Sequence, residues 1–278
     1  MATVYIKPGT GTGVGTLADP YFFDQLGTAE TAAGSGGKIL FTDGTYTVSA
    51  LVKLGASNVT YEALNSKQAV IDFQNVSLSA LELGTSAGSY ASFSLKGIVF
   101  SNIGNGTGGP SVELQIASGN TLTCDECEFL NMTPTARGAV GSYLSPNPGA
   151  MNATFTGCIF TQSGTNTVPM FGYRLAATHD LTLNNCTLIF SGTGTAVYFK
   201  NSTGSYTLKN SILLSDGSSK TLGTPTPFTE SNNCYYNIGE SADAANAIIV
   251  DDPQFVDSAN GDLRLRPSSP CINAGTAS

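Results

Sequence analysis

The sequence predicts an all-β solenoid, a chain wound into a parallel β-helix. Three observations carry this. One six-residue unit is written six times. Its copies recur at the spacing of a coil. Within each copy apolar and polar residues alternate, which is the period of a strand.

The clearest copies are Phe155-Thr156-Gly157-Cys158-Ile159-Phe160 and Leu183-Asn184-Asn185-Cys186-Thr187-Leu188. Leu95 to Phe100, Cys124 to Phe129, Leu208 to Leu213 and the degenerate Ser231-Asn232-Asn233-Cys234-Tyr235-Tyr236 complete the set. From Ile98 the fourth position recurs at Cys127, Cys158, Cys186, Ser211 and Cys234, in steps of 29, 31, 28, 25 and 23 residues. The third position is usually Gly or Asn, the residues that best tolerate a left-handed bend. The bends are therefore expected at Gly97, Gly157, Asn185, Asn210 and Asn233, with Glu126 as a strained exception. Coils that turn this way stack in parallel, so equivalent residues form columns. Leu95, Cys124, Phe155, Leu183 and Leu208 form one interior column, and the fourth positions form a second. A β-sandwich also has many short strands, but it lacks a recurring unit at coil spacing.

In chain order, residues 3–6 read as a first strand and residues 9–15 as a glycine loop. Residues 20–33 give the one helical candidate, with Asp19 as cap and Pro20 in the first turn. Tyr21, Phe22 and Phe23 are too apolar for an exposed helix and are expected to cover the open end of the solenoid. Residues 38–41 and 45–48 start the coils, with Asp43-Gly44 between them. Residues 59–62, 69–73 and 80–83 continue the stack. Loops at 104–110, 133–148 and 220–229 are rich in Gly, Pro and Thr and are expected to project from the corners. The organisation is one structural unit: strand and capping helix over residues 1–37, then a parallel β-helix over 38–278 with a closing segment at 251–275.

Charged residues make up only 12% of the chain, the net charge is −8 and the pI is near 4.5. That balance argues against nucleic acid, whose phosphates call for clustered Lys and Arg. Apolar residues reach 41% and are periodic, so the low charge does not mean disorder. No apolar run is long enough to span a bilayer, so no membrane insertion is expected. The opening Met1-Ala2-Thr3-Val4-Tyr5 has no basic region leading into an apolar stretch, and no secretion signal is expected. Of six cysteines, four fall in one column and Cys124 in its neighbour, so reduced, buried thiols are expected rather than bridges. Cys124-x-x-Cys127 has no second pair and no nearby His, and reads as two core positions.

The final segment reads Asp251-Asp252-Pro253-Gln254-Phe255, then Gly261-Asp262-Leu263-Arg264-Leu265, then Ser269-Pro270-Cys271-Ile272-Asn273-Ala274-Gly275. This resembles the closing segment of right-handed parallel β-helix proteins of the pectin-lyase-like superfamily. The start is similar too: Lys7-Pro8-Gly9, a capping helix, then Asp43-Gly44-Thr45-Tyr46. The resemblance spans nearly the whole chain and implies a right-handed, single-stranded parallel β-helix with a short N-terminal capping helix. It is specific for fold and not for activity. Within the superfamily the chain looks most like β-helix proteins of phage particles. By resemblance such proteins are commonly trimers.

Enzymes of that superfamily include pectate lyases, polygalacturonases and tailspike depolymerases. By resemblance the lyases use a calcium site of several carboxylates plus a basic Arg, and the hydrolases use clustered Asp, usually with a His. Glycoside hydrolysis needs two carboxylates about 5 to 9.5 Å apart, a separation that neighbouring coils, about 4.8 Å apart, can supply. Asp125, Glu126 and Glu128 are the one dense acid group, and the matching positions of adjacent coils bring no second acid. His179 is followed by Asp180, with Arg174 near in sequence, and the pair reads as a turn entering the Leu181 strand. Asp125, Glu128, Arg174 and His179 are thus the catalytic candidates. Asp251-Asp252 belongs to a turn, and Gly9 to Gly13 lacks the ending of a phosphate loop. No cofactor and no metal site is expected.

The fifth position of the unit points outward and reads Val99, Glu128, Ile159, Thr187, Ile212 and Tyr235. An outward apolar stripe marks an interface, so Val99, Ile159, Ile212 and Tyr235 are the candidates for a homo-oligomer, a trimer by resemblance. β-Branched residues also simply suit strands. Tyr143, Tyr173, Tyr198, Tyr235 and Tyr236 are candidates for stacking on sugars. Two function classes follow. One is a non-catalytic phage virion protein (capsid decoration, tail fibre or tail spike), assembled in the host cytoplasm beside other virion proteins and displayed on the particle surface, with host surface polysaccharide as a partner. The other is a polysaccharide lyase or glycoside hydrolase.

Overall fold

The computed structural model describes residues 1–48, 50–56, 58–75, 81–84, 92–104, 111–115, 120–134, 138–141, 151–163, 168–172, 179–191, 199–200, 204–215, 222–223, 228–238, 247–249 and 252–275. Among these residues the chain winds through three parallel sheets. The first has ten strands: Tyr21–Phe22, Thr3–Lys7, Lys38–Phe41, Thr60–Ala63, Phe93–Lys96, Thr121–Asp125, Met151–Thr156, His179–Asn184, Tyr206–Lys209 and Phe228–Ser231. The second has nine, from Gly44–Thr47 to Ala247–Ile249, and the third has six, from Val52–Leu54 to Phe199–Lys200. Coil after coil visits the sheets in turn, as in Lys38–Phe41, Gly44–Thr47 and Val52–Leu54 before Thr60–Ala63. The fold is a right-handed parallel β-helix, the hand that crossovers between parallel strands adopt.

The solenoid begins earlier than expected. Thr3–Lys7 pairs in parallel with Lys38–Phe41, so the first sheet starts at Thr3 and not at Lys38. The cap also differs. Tyr21–Phe22 is extended, Phe23–Gln25 is a 3-10 turn, and the α-helix runs only over Leu26–Ala33. Asp19 does not cap it. Its carbonyl accepts the N–H groups of Val14 and Gly15, and its carboxylate pairs with Lys7. Gln25 organises this end instead, its side-chain oxygen accepting from Gly13 N–H at 3.0 Å and Phe22 N–H at 3.1 Å. Phe23 sits edge-on to Tyr46 with centroids 5.3 Å apart, which closes the end of the core as expected.

The corner between the first and second sheets is the bend of the six-residue unit. Gly97, Gly157, Asn185 and Asn210 have φ of 63, 62, 53 and 50°. Glu126 follows the same path at 54° despite its Cβ. Each corner N–H donates to the coil above, for instance Gly97 to Asp125 O at 2.9 Å and Glu126 to Thr156 O at 2.8 Å. In the last copy the left-handed residue is Asn232, not Asn233.

The interior columns follow from this register. Leu95, Cys124, Phe155, Leu183 and Leu208 stack as expected and are fully buried. Phe100, Phe129 and Phe160 stack face to face, with centroids 5.2 and 5.0 Å apart. Burying each such ring is worth about 1.5–3 kcal/mol. Ile98, Cys127, Cys158, Cys186 and Ser211 form the second column. Asn233, not Cys234, continues it, because Ile212 pairs with Cys234. All six cysteines are free. The Cys158 thiol donates to Cys124 O and the Cys186 thiol to Phe155 O, at 3.3 and 3.4 Å, so the column's polar hydrogens are used.

Two expected loops contribute to the third sheet. Val140–Gly141 lies inside the expected 133–148 loop, and Leu222 of the 220–229 loop is buried and accepts the Phe199 N–H at 3.0 Å. Residues 105–110 of the remaining loop lie outside the described residues.

Candidate functional site

The outward face of the second sheet carries a groove that two of the sequence candidates, Glu128 and Ile159, line. Strand alternation turns Glu128, Leu130, Ile159, Thr161, Ile189 and Leu214 outward. A bulge follows Phe129, where Asn131 takes a φ of 56° and its N–H donates to the Thr161 hydroxyl at 2.7 Å.

The closing segment faces this surface. Phe255–Asp257 pairs antiparallel with Asp262–Leu265 around the turn Ser258–Asn260. Asp257 accepts the Asn260 N–H at 3.3 Å, and Gly261, at φ 84°, supplies the left-handed residue that lets the chain reverse. The Ser269 hydroxyl donates to Pro253 O at 2.6 Å, and Asp252 accepts the Gln254 N–H at 2.8 Å, which confirms Asp252 as a turn residue. Arg264 beside Asp262 holds that exposed carboxyl down at about 2.

Between sheet and hairpin lies a groove of about 610 Å³. Its apolar lining is Leu130, Ile159, Ile189, Leu214 and Leu263, and its polar lining is Asn131, Thr161, Ser163, Ser191, Ser258 and Asn260, with Glu128 as the one acid. Glu128 is already engaged. Its carboxylate lies 2.8 Å from the Lys67 ammonium, which comes from two coils away, across the coil of Val99. The neighbouring acids are also occupied or apart. Glu126 contacts the Ser66 hydroxyl at 3.4 Å, and Asp125 is exposed on the first sheet, in register with Lys96.

Two of the four interface candidates are not on the surface. Val99 is 6% exposed. Tyr235 is 2% exposed and points inward in register with Leu213, its hydroxyl donating to Glu230. The displaced register of the last copy is the reason for Tyr235, which it also removes as a sugar-stacking residue, whereas Val99 lies in the coil that the Lys67–Glu128 pair spans. Ile159 lines the groove, and Ile212 is half-buried. His179 and Asp180 open the strand His179–Asn184 rather than forming a turn. Asp180 accepts both the N–H and the hydroxyl of Ser205, which ties its carboxylate to the next coil. The His179 side chain, Arg174, Tyr143, Tyr173 and Tyr198 lie outside the described residues. The glycine loop holds its N–H groups on the chain's own side chains, Gly11 on Asp24 and Gly13 on Gln25.

A charged column was missed by the sequence reading. On the third sheet Lys53, Glu82 and Glu113 are in register on three successive coils. Lys53 lies 2.6 Å from Glu82, and the two acids are only 8% and 4% exposed. Single Glu residues inside two apolar strands give no periodic signal, which is why pattern reading passed over them. The groove was missed for a different reason, because its second wall comes from the closing hairpin. Among the described residues no group of three or more His, Cys, Asp or Glu side chains could hold a metal ion.

Comparison with solved structures places this architecture beside pectin methylesterases and a pectate lyase. A pectin methylesterase from Erwinia chrysanthemi aligns over 95% of this chain and 98% of its own, with a TM-score of 0.54 and 12% identity. A pectate lyase aligns over 100% of this chain and 92% of its own, with a TM-score of 0.53 and 15% identity. A pectin methylesterase solved with a hexasaccharide gives a TM-score of 0.55 at 12% identity, over 95% of this chain and 98% of its own. At such identities the likeness is one of fold, the parallel β-helix. No protein-family model matches the sequence, and no curated protein matches it either.

Proposed function

We propose that this chain is a non-catalytic β-helix of a virus particle that binds neutral host-surface glycan in the groove between the second sheet and the closing hairpin. The observation that carries the reading is the groove's lining. Sugars offer apolar ring faces and a rim of hydroxyls. Leu130, Ile159, Ile189 and Leu214 suit the first, and Asn131, Thr161, Ser163 and Ser191 suit the second. The single acid, Glu128, is neutralised by Lys67, whereas glycoside cleavage asks for an acid and a base. A homotrimer fits this reading, because weak sites held together gain avidity that one site lacks.

The test is a glycan array followed by titration. Specific binding that is lost in Ile189→Lys, with the fold intact by circular dichroism, supports the reading. No binding to any host-surface glycan counts against it. Antibody labelling of intact particles tests the display.

A second reading, a glycoside-cleaving enzyme, rests on the register of Glu82 with Glu113, since adjacent coils hold carboxyls about 5 Å apart. The burial of both acids weighs against it. Oligosaccharide release abolished by Glu82→Gln and Glu113→Gln would favour it over the binding reading.

A further inference from the structure

Five of the six cysteines are buried in the solenoid, and Cys271 is half-buried in the closing segment. The displaced register of the last copy puts Cys234 at an outward position, beside Ile212 and off the interior column. Yet Cys234 is only 4% exposed, and the Cys271 side chain forms a hydrogen bond with it. The contact belongs to a wider seam. The Asn232 side chain donates to Ala274 O at 3.3 Å, and Gly275 lies against the Asn210 side chain. The backbone around Cys271 is fixed as well, its N–H donating to the Ser269 hydroxyl at 3.2 Å.

We infer that Cys234 and Cys271 form a modification site, a dithiol that a small disulfide converts into a covalent latch between closing segment and last coil. The chemistry is thiol–disulfide exchange. The Cys271 thiolate attacks a low-molecular-weight disulfide of the glutathione class, forming a mixed disulfide and releasing one small thiolate, which takes up a proton. The Cys234 thiol then loses its proton to solvent and attacks the Cys271 sulfur, releasing the second small thiolate, which is protonated in turn. The protein loses two hydrogens, and the reagent is reduced to two thiols. Cys271 starts the reaction because it is the accessible partner. Its pKa is also lowered, first of all by the hydrogen bond with Cys234, so more of it is thiolate at neutral pH. The other four thiols are shielded, and burial pushes Cys124, Cys127 and Cys158 well up.

The latch would stay open in a reducing cytoplasm and close in an oxidising exterior. It crosslinks residues 37 apart in sequence (271 − 234), so it restrains the unfolded closing segment. The inference does not depend on the glycan reading.

The experiment incubates the intact protein with oxidised glutathione and maps disulfides by mass spectrometry without reduction. The expected product is two hydrogens lighter, with one bond between Cys234 and Cys271. Limited proteolysis of residues 252–275 should slow about tenfold and recover on adding dithiothreitol. Cys271→Ser, at a half-buried site, should fold normally and show neither change. A stable glutathione adduct at Cys271 with no internal bond would overturn the inference. So would a bond between any other pair, or the expected bond without slower proteolysis.

Discussion

The Asn233 side-chain oxygen accepts the N–H of Ser211, one coil below, at 3.0 Å inside the solenoid. Its amide donates to Leu208 O at 3.0 Å and to the Tyr235 hydroxyl at 3.2 Å. A thiol in this column donates only weakly, to backbone carbonyls, whereas Asn233 both accepts and donates and joins three neighbours. Asn233→Ala should therefore cost about 2 kcal/mol or more, because it leaves buried backbone groups unpaired. Chemical denaturation measures this. A loss below about 0.5 kcal/mol would show that the column tolerates a void and an unpaired N–H here.

The Glu126 backbone is strained where its neighbours are not. At φ 54° it copies Gly97 and Gly157 while carrying a side chain. Among the described residues, its side-chain hydrogen bond is the weak, exposed one from Ser66. Glu126→Gly should therefore stabilise the protein by about 1 kcal/mol, and Gly157→Val should destabilise it by at least as much. Paired thermal melts of the two variants give the signs, and the same sign for both would contradict the bend.

Alkaline pH should unfold the protein early. Burial raises the Cys124, Cys127 and Cys158 thiols well above their ordinary value. An acid whose folded pKa is raised contributes stability that is complete below the unfolded pKa, about 8.5 for a thiol, and is lost as pH rises past it. Stability should thus decline above about pH 9, and Cys158→Ala should flatten the decline although it lowers stability at neutral pH. Melting points from pH 7 to 10 test this, and parallel curves for the two proteins would refute it.

Much of the solenoid was legible because its unit repeats. Cys158 and Cys186 mark the column, and the Gly or Asn before each marks the corner. The last copy was misread for a physical reason. Asn232 and Asn233 both suit a left-handed bend, and only the interior hydrogen bond to Ser211 decides between them. That one-residue displacement turned Tyr235 inward and Cys234 outward. The third sheet was less legible, since strands as short as Val140–Gly141 show no alternation. Lys67 and Glu128 meet across an intervening coil, beyond the adjacent-coil comparison that sequence allows. The groove depends on where the closing hairpin docks, which no periodicity encodes.

Docking of that hairpin covers part of the outward apolar surface of the second sheet. Leu263 lines the groove together with Leu130, Ile159, Ile189 and Leu214, so these aliphatic side chains are partly roofed by the chain itself. Removing residues 252–275 should expose these aliphatic side chains as one contiguous patch, and such patches drive association. The truncated protein should bind a hydrophobic dye strongly and form larger species by light scattering than the intact protein. Leu263→Asp is the milder test, because it keeps the chain whole while placing a charge over the apolar floor. It should loosen the hairpin and raise dye binding with the solenoid's far-ultraviolet dichroism unchanged. If neither variant binds more dye than the intact protein, the hairpin does not shield these side chains.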